Sequence, residues 1–279
     1  MSNRSSTQRG KEPEGLSGRR RLYSAPALEK GLDILELLAG VDSSLSLREM
    51  AARLNRSTGE IFRMLAVLEQ RGYIAPSPSD QDSYSLTLQM FELARRHLPL
   101  KRLSVAATSE MQRLTSAVEQ SCHIAVYHRG RALIVLQQDS PSDRVFSVRL
   151  GAEAPLLTTC SGRILLGFSD PILREKMLRD QPLHMRAEMS EKSLERMVAR
   201  IRNQGYERVM STLMQGVQDI GFPIFDHLGR VQAALVVPYL AHLDGARQLS
   251  PDQVQQSLEQ TARNISESLG YRRQPKISA

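Results

Sequence analysis

Apolar positions in the first third of the chain fall into three short helical stripes followed by two short strand-like runs. The first stripe, over 27–38, carries Leu28, Leu32, Leu35 and Leu38, with Gly40 just beyond it where a helix end takes a glycine. Ser46 is suited to cap a second helix, in which Leu47, Met50, Ala51 and Leu54 recur at helical spacing. Asn55-Arg56-Ser57 makes a turn, and a third helix carries Ile61, Met64, Leu65 and Leu68 before stopping at Gly72. Residues 73–74 and 83–86 are expected as strands. The stretch 76–82, with Pro76 and Pro78 and no bulky apolar residue, is expected as an exposed loop. Helices this short bury little alone, so the three stripes must close one core together. The tight turn then leaves the third helix proud of the surface.

The pattern changes further along. An amphipathic run over 87–97 is broken at Pro99, and another helix is expected over 103–118. Residues 122–128 and 132–138 alternate as a hairpin around Arg129-Gly130-Arg131, and 146–150 alternates as well. Helices are expected over 161–168 and 190–203, the latter burying Leu194, Met197, Val198 and Ile201 before Gly205. Strands over 216–225 and 230–238 flank the turn Asp226-His227-Leu228-Gly229. Ser250-Pro251 opens a final helix through Val254, Leu258, Ala262, Ile265 and Leu269. The whole predicts an α+β protein of two domains.

Charge refines this picture little. The 279 residues carry a net charge of +7. Residues 1–24 hold six basic and two acidic side chains, while 25–99 hold eight basic and ten acidic, so the helical segment is not basic overall. A nucleic-acid role must therefore rest on its pattern. The first 24 residues almost lack aliphatic side chains and are expected to be a disordered basic tail, either merely solvated or touching phosphates. Residues 272–279 are expected as a flexible tail. No apolar run approaches a membrane span, no secretory signal opens the chain, and two isolated cysteines, Cys122 and Cys160, fit a reducing cytoplasm.

With these residues in view, the chain resembles an IclR-family transcriptional regulator from about Ala27 to Leu269. The matching pieces are "ALEKGLDILELLA", "LSLREMAARLNRSTGEIFRMLAVLEQRGYI", "YSLT", "LGAEAPLLTTCSGRILLGF", "IRNQGYE" and "GVQDIGFPIFDHLGRVQAALVVP". The resemblance implies an N-terminal winged helix-turn-helix DNA-binding domain over 25–88, a linker helix over 89–102, and a GAF/PAS-like effector-binding domain over 103–271. It also implies a homodimer or dimer of dimers on a partly palindromic double-stranded operator, with a small organic acid as effector and no membrane partner. Repression is the commoner behaviour in the family.

Carried onto this sequence, the base-reading helix begins near Arg56, Ser57, Thr58, Gly59 and Glu60. Gly59-Glu60 stands where members usually have a Ser-Thr pair. A first-turn glycine lowers helix stability by up to about 1 kcal/mol relative to Ala, which close approach of backbone to DNA would explain. Glu60 either accepts from cytosine N4 or simply suits the positive helix N-terminus. Phe62 and Arg63 follow on the same helix, and Arg63 is expected to meet phosphate or base. Arg48 and Arg53 on the second helix are placed to clamp backbone only. Ser79 and Gln81 are the wing's candidates, beside Asp80 and Asp82, which argue against a strong phosphate grip.

For the effector, the loop Thr158-Thr159-Cys160-Ser161-Gly162 opens a helix whose free amides and small side chains suit a carboxylate, although ordinary N-capping explains the same spacing. The resemblance favours a pocket at Thr159, Cys160, Ser161 and Gly162, walled by Ser211, Asp219 and Gly221. Members often carry acids a few places past Gly205-Tyr206, where this chain has Val209, Met210, Ser211 and Thr212. Asp219 stands where a small or sulfur-bearing residue is common. Those departures point to a hydroxyl-rich or larger ligand. Strand alternation puts Asp219, Gly221 and Pro223 on one face and Ile220 and Phe222 on the other, and the Asp219 face is the expected lining.

An enzyme acting on a small carboxylate is the rival class, but no nucleophile elbow and no Gly-rich phosphate loop occurs. His123 and His128 fall on opposite strand faces, and His97, His184, His227 and His242 are scattered, so no metal site or cofactor is expected. A winged helix that binds another protein is the third reading.

Overall fold

The structure is a computed structural model that describes residues 25–272, apart from 144, 183–188 and 242–247. The expected tails, apart from Arg272, and also His184 and His242, lie outside the described residues. The chain divides into two compact units between Ala94 and Arg95.

In the first unit, α1 (Pro26–Ala39), α2 (Leu47–Arg53) and α3 (Thr58–Gln70) pack against a small antiparallel sheet. Its strands are β1 (Leu45–Ser46), β2 (Ile74–Ser77) and β3 (Asp80–Leu86), in the order β1-β3-β2. Ile34, Leu38, Leu45, Met50, Ala51, Ile61, Leu65 and Ile74 form its core. The stripe expected on α1 is corrected here: Leu28 and Leu32 are 63% and 48% exposed, and Ile34 takes their place inside. The loop expected over 76–82 is also shorter. Pro76 pairs with Tyr84 inside β2, which proline tolerates because β2 is an edge strand.

The division falls within α4 (Gln89–Arg96), and α5 (Leu98–Val118) follows in the second unit. Pro99 sits in the first turn of α5 and starts that helix rather than breaking one, so the expected linker is two helices. A six-stranded antiparallel sheet follows: β4 (Cys122–His128), β5 (Arg131–Gln138), β6 (Glu153–Pro155), β7 (Glu207–Met210), β8 (Val217–Phe225) and β9 (Val231–Leu240). Its order is β6-β5-β4-β9-β8-β7. Residues 146–150 form no strand despite their alternation.

Helices cover both faces of this sheet. On one, α5 and α9 (Pro251–Ser268) bury Leu103, Met111, Leu258 and Ile265 against Ile124, Ile220, Phe222 and Leu235. On the other, α6 (Cys160–Phe168), α7 (Pro171–Arg179) and α8 (Glu191–Gln204) set Cys160, Ile164, Met177 and Ile201 against Ala125, Ala234 and Val236. Two-sided burial explains why β8 and β9 read as near-continuous apolar runs.

Candidate functional site

The turn before α3 is built from two caps placed end to end. Asn55 adopts φ 51°, a left-handed conformation that asparagine tolerates. It closes α2 with Asn55 N–H donating to Ala52 and Arg56 N–H donating to Ala51. Ser57 then caps α3. Its hydroxyl accepts from Glu60 N–H, and the Glu60 carboxylate accepts from Ser57 N–H. At the other end Gly72, at φ 75°, donates to Glu69, and Tyr73 donates to Leu68, which stops the helix.

The same caps give the Glu60 carboxylate a structural task. One carboxylate oxygen is held by Ser57, and the other takes Lys30 Nζ of α1 at 2.5 Å. The Lys30 hydrogen bond, with help from Ser57, pulls its pKa down to about 2. Glu60 thus fastens the start of α3 to α1 and caps it. Arg56, in the turn before α3, lies 3.9 Å from Asp33 of α1.

The remaining first-turn residues face outward. Ser57, Thr58, Gly59, Phe62 and Arg63 are all exposed, while Ile61 and Leu65 point into the core. A Cβ on Gly59 would meet nothing within 4 Å, and its φ is not in the left-handed region. No hydrogen bond or ion pair ties Arg63 among the described residues. Arg48 is exposed on α2. At the hairpin, Ser79 Oγ lies 3.0 Å from Ser77 Oγ, and Gln81 is exposed.

In the second unit the loop before α6 lies over the sheet. Thr159 caps the helix, accepting from Gly162 N–H and donating to the Pro155 carbonyl at 2.6 Å. Cys160 and Ser161 are buried, and the Cys160 thiol donates to the Glu207 carbonyl. Gly162 is dictated by packing: a Cβ there would lie 2.5 Å from the Pro155 and Leu156 carbonyl oxygens. Gly221 is equally constrained. Its Cβ would meet Ile164 Cδ1 at 2.6 Å and Cys160 Sγ and Val236 Cγ2 at 2.9 Å each.

Register places Asp219 on this same face, between Val209 and Pro238. Ile220 and Phe222 face the α5–α9 core instead. The structure therefore brings together Cys160, Ser211, Asp219 and Gly221. Ser211 hydrogen-bonds the Asp219 carboxyl, and burial raises its pKa to about 6. Burial, and then Asp219, push the Cys160 thiol well above its usual range. Thr212 donates to the Thr158 carbonyl, tying the 211–216 connection to the loop.

One group on this face was not singled out by sequence. His123 pairs with Val236, which pairs with Gly221, so all three project toward α6. His123 is buried with Nδ1 unpartnered, and burial lowers its pKa to about 4, keeping the ring neutral. A lone strand histidine carries no spacing signal that could have found it. The concavities of about 870 and 340 Å³ that meet at Phe168, the far end of α6, lie elsewhere. Arg202 in the larger one donates to the Gly167 and Ser169 carbonyls, a structural task.

A capped helix held outward by two others beside a β-hairpin is the architecture of a helix-turn-helix DNA-binding unit, here followed by a separate curled-sheet domain. The chain belongs to the IclR family of bacterial transcriptional regulators. The family's helix-turn-helix domain matches residues 27–78 and the IclR C-terminal domain matches residues 98–267. It is 26% identical to the transcriptional regulator KdgR of Escherichia coli K12 over 90% of this chain and 95% of KdgR. It is likewise 26% identical to the transcriptional repressor AllR of Klebsiella pneumoniae, over 90% of this chain and 92% of AllR. Among solved structures, an IclR homologue from Microbacterium hydrocarbonoxydans complexed with 4-hydroxybenzoate shares the fold. Its TM-score is 0.70 at 21% identity, covering 87% of this chain and 98% of that one. The protein is a DNA-binding transcriptional regulator, and the relatives it matches are regulators rather than enzymes. No helix among the described residues is long and apolar enough to cross a membrane.

Proposed function

We propose that this regulator is a cytoplasmic repressor that binds a partly palindromic operator through α3 and releases it when a small organic acid occupies the α6–β8 face. The outward leading half of α3 carries the DNA half of the reading: Arg63 has no hydrogen-bond or ion-pair partner among the described residues, and Gly59 leaves the helix surface open. Residues 25–88 act as the DNA-binding domain, 89–102 as the linker, and 103–271 as a GAF/PAS-like sensor. Arg48, Arg56, Ser57 and Thr58 contact the backbone, Phe62 and Arg63 enter the groove, and Ser79 and Gln81 serve the wing. Leu28 and Leu32 on α1, with Met90 and Leu93 on α4, offer exposed apolar surface for self-association.

The effector half rests on the polar groups gathered beneath α6. The amides of Cys160 and Ser161 receive the effector carboxylate, while Asp219, Ser211 and His123 meet its hydroxyl or carbonyl groups. Effector entry requires the 211–216 connection to lift, and its Leu213 and Met214, with Met210 at the end of β7, already lie exposed. Selection of duplexes from a random pool, followed by titration at several salt concentrations, tests the DNA half. A steep loss of affinity with salt is expected. Calorimetric titration with a panel of organic acids tests the other half. Ser161→Phe should abolish binding of whichever acid the wild type takes, and unchanged binding would move the effector elsewhere.

A further inference from the structure

The exposed face of α3 carries apolar side chains among its polar ones. Phe62 is 59% exposed and Val67 49%, and Ala66 lies exposed one turn from Phe62. Gly59 adds no side chain between them and the helix start. Glu60, the residue with the chemistry to accept from a base, has both carboxylate oxygens engaged by Ser57 and Lys30. That leaves Thr58 and Arg63 as the polar groups of the leading half and Phe62 as its largest side chain. In a major groove the apolar feature available to such a face is the 5-methyl group of thymine.

We infer that Phe62, with Ala66 beside it, reads thymine methyl groups in the operator, so that this regulator distinguishes thymine from both cytosine and uracil at one or two positions of each half-site. The inference rests on the proposal that α3 enters the major groove, and it adds which base is read and by what contact. Phe62 and Ala66 are spaced i, i+4, so they present one continuous strip. Arg63 is free to hold guanine or phosphate beside it. No hydrogen bond from Phe62 is available, so discrimination comes from burial of the methyl itself. Burying one methyl-sized group contributes roughly 0.8 kcal/mol, which is about a fourfold change in affinity.

The test uses the full chain and a duplex selected by it from a random pool. Each thymine of that duplex is replaced in turn by deoxyuridine, which removes only the 5-methyl group. Affinity is measured at one fixed salt concentration. The expected result is roughly a fourfold loss at one or two symmetry-related positions and no change at the others. Phe62→Ala should bind the thymine duplex more weakly and should no longer tell thymine from deoxyuridine at those positions. Because Phe62 is exposed, this variant is expected to fold, and circular dichroism checks that it does. Equal binding of the thymine and deoxyuridine duplexes by the wild type overturns the inference while leaving DNA binding intact. So does a Phe62→Ala variant that keeps the full thymine preference, or one whose affinity drops only because self-association is lost. Failure to select any duplex overturns both this inference and the function on which it rests.

Discussion

The starts of α3 and α6 are built alike and set in opposite surroundings. Each begins with a hydroxyl cap, Ser57 or Thr159, and each carries a glycine in the first turn, Gly59 or Gly162. Around Gly162 the chain is closed, with carbonyl oxygens where a Cβ would go. Around Gly59 there is open space. The same local chemistry thus presents free amides inward in one domain and outward in the other. Capping signals alone do not distinguish a helix end enclosed by the chain from one left open to solvent. What distinguishes them is whether anything in the chain itself requires the glycine.

The largest test of that contrast is Gly162→Ala. The added methyl group meets backbone rather than a flexible side chain, so relief requires α6 to move off the Pro155–Leu156 turn. We expect a loss of about 3 kcal/mol in a denaturant titration. A loss under about 0.5 kcal/mol would show that the turn yields easily and that Gly162 is no more constrained than an ordinary surface position.

Asp219 sharpens the comparison from the chemical side. Its folded pKa, raised to about 6, exceeds the unfolded value near 3.8, so the folded state holds more protons between those limits. Stability contributed by this group is therefore greatest at low pH and falls as pH rises from about 4 to about 6. Asp219→Asn cannot ionise. The variant should match the wild type near pH 4 and gain on it up to pH 6, by roughly 1–2 kcal/mol once water screening of a half-buried group is allowed for. Thermal melts of both proteins across that range give the difference directly. A constant offset at all pH values would place Asp219 in water. Glu60, lowered to about 2, contributes in the opposite sense and at lower pH.

Both helix starts were legible in the sequence to different depths. The helix-turn-helix was readable because the α2 and α3 stripes recur at helical spacing and because Ser46, Asn55, Ser57 and Gly72 punctuate them with residues suited to caps and turns. On α1 the leucines misled. Leucine is common on exposed as well as buried helix faces, and here Ile34 rather than Leu28 turns inward. In the second domain β1-like short pieces were invisible: β6 and β7 span three and four residues and are specified by pairing with β5 and β8, not by their own pattern. Residues 146–150 alternate without pairing, for the same reason in reverse. α7 buries only Met177, too little for a periodic signal. The Asp219 face was deducible from alternation, whereas His123 joins it through pairing across β9, which a one-dimensional reading does not contain.

The smallest expected effect is the most discriminating. Gly59→Ala places a methyl group in empty space on a helix whose backbone geometry any residue adopts, so nothing in the protein opposes it. Alanine favours the helix, and the variant should be more stable by up to about 1 kcal/mol in the same denaturant titration. If the first turn of α3 lies against a duplex, that methyl group stands where the DNA must come, and operator affinity should fall while stability rises. Opposite movement of the two quantities cannot come from misfolding. A variant that is more stable and binds the selected duplex as well as the wild type would mean that the space beside Gly59 is only solvent. The contrast with Gly162 would then reflect packing alone.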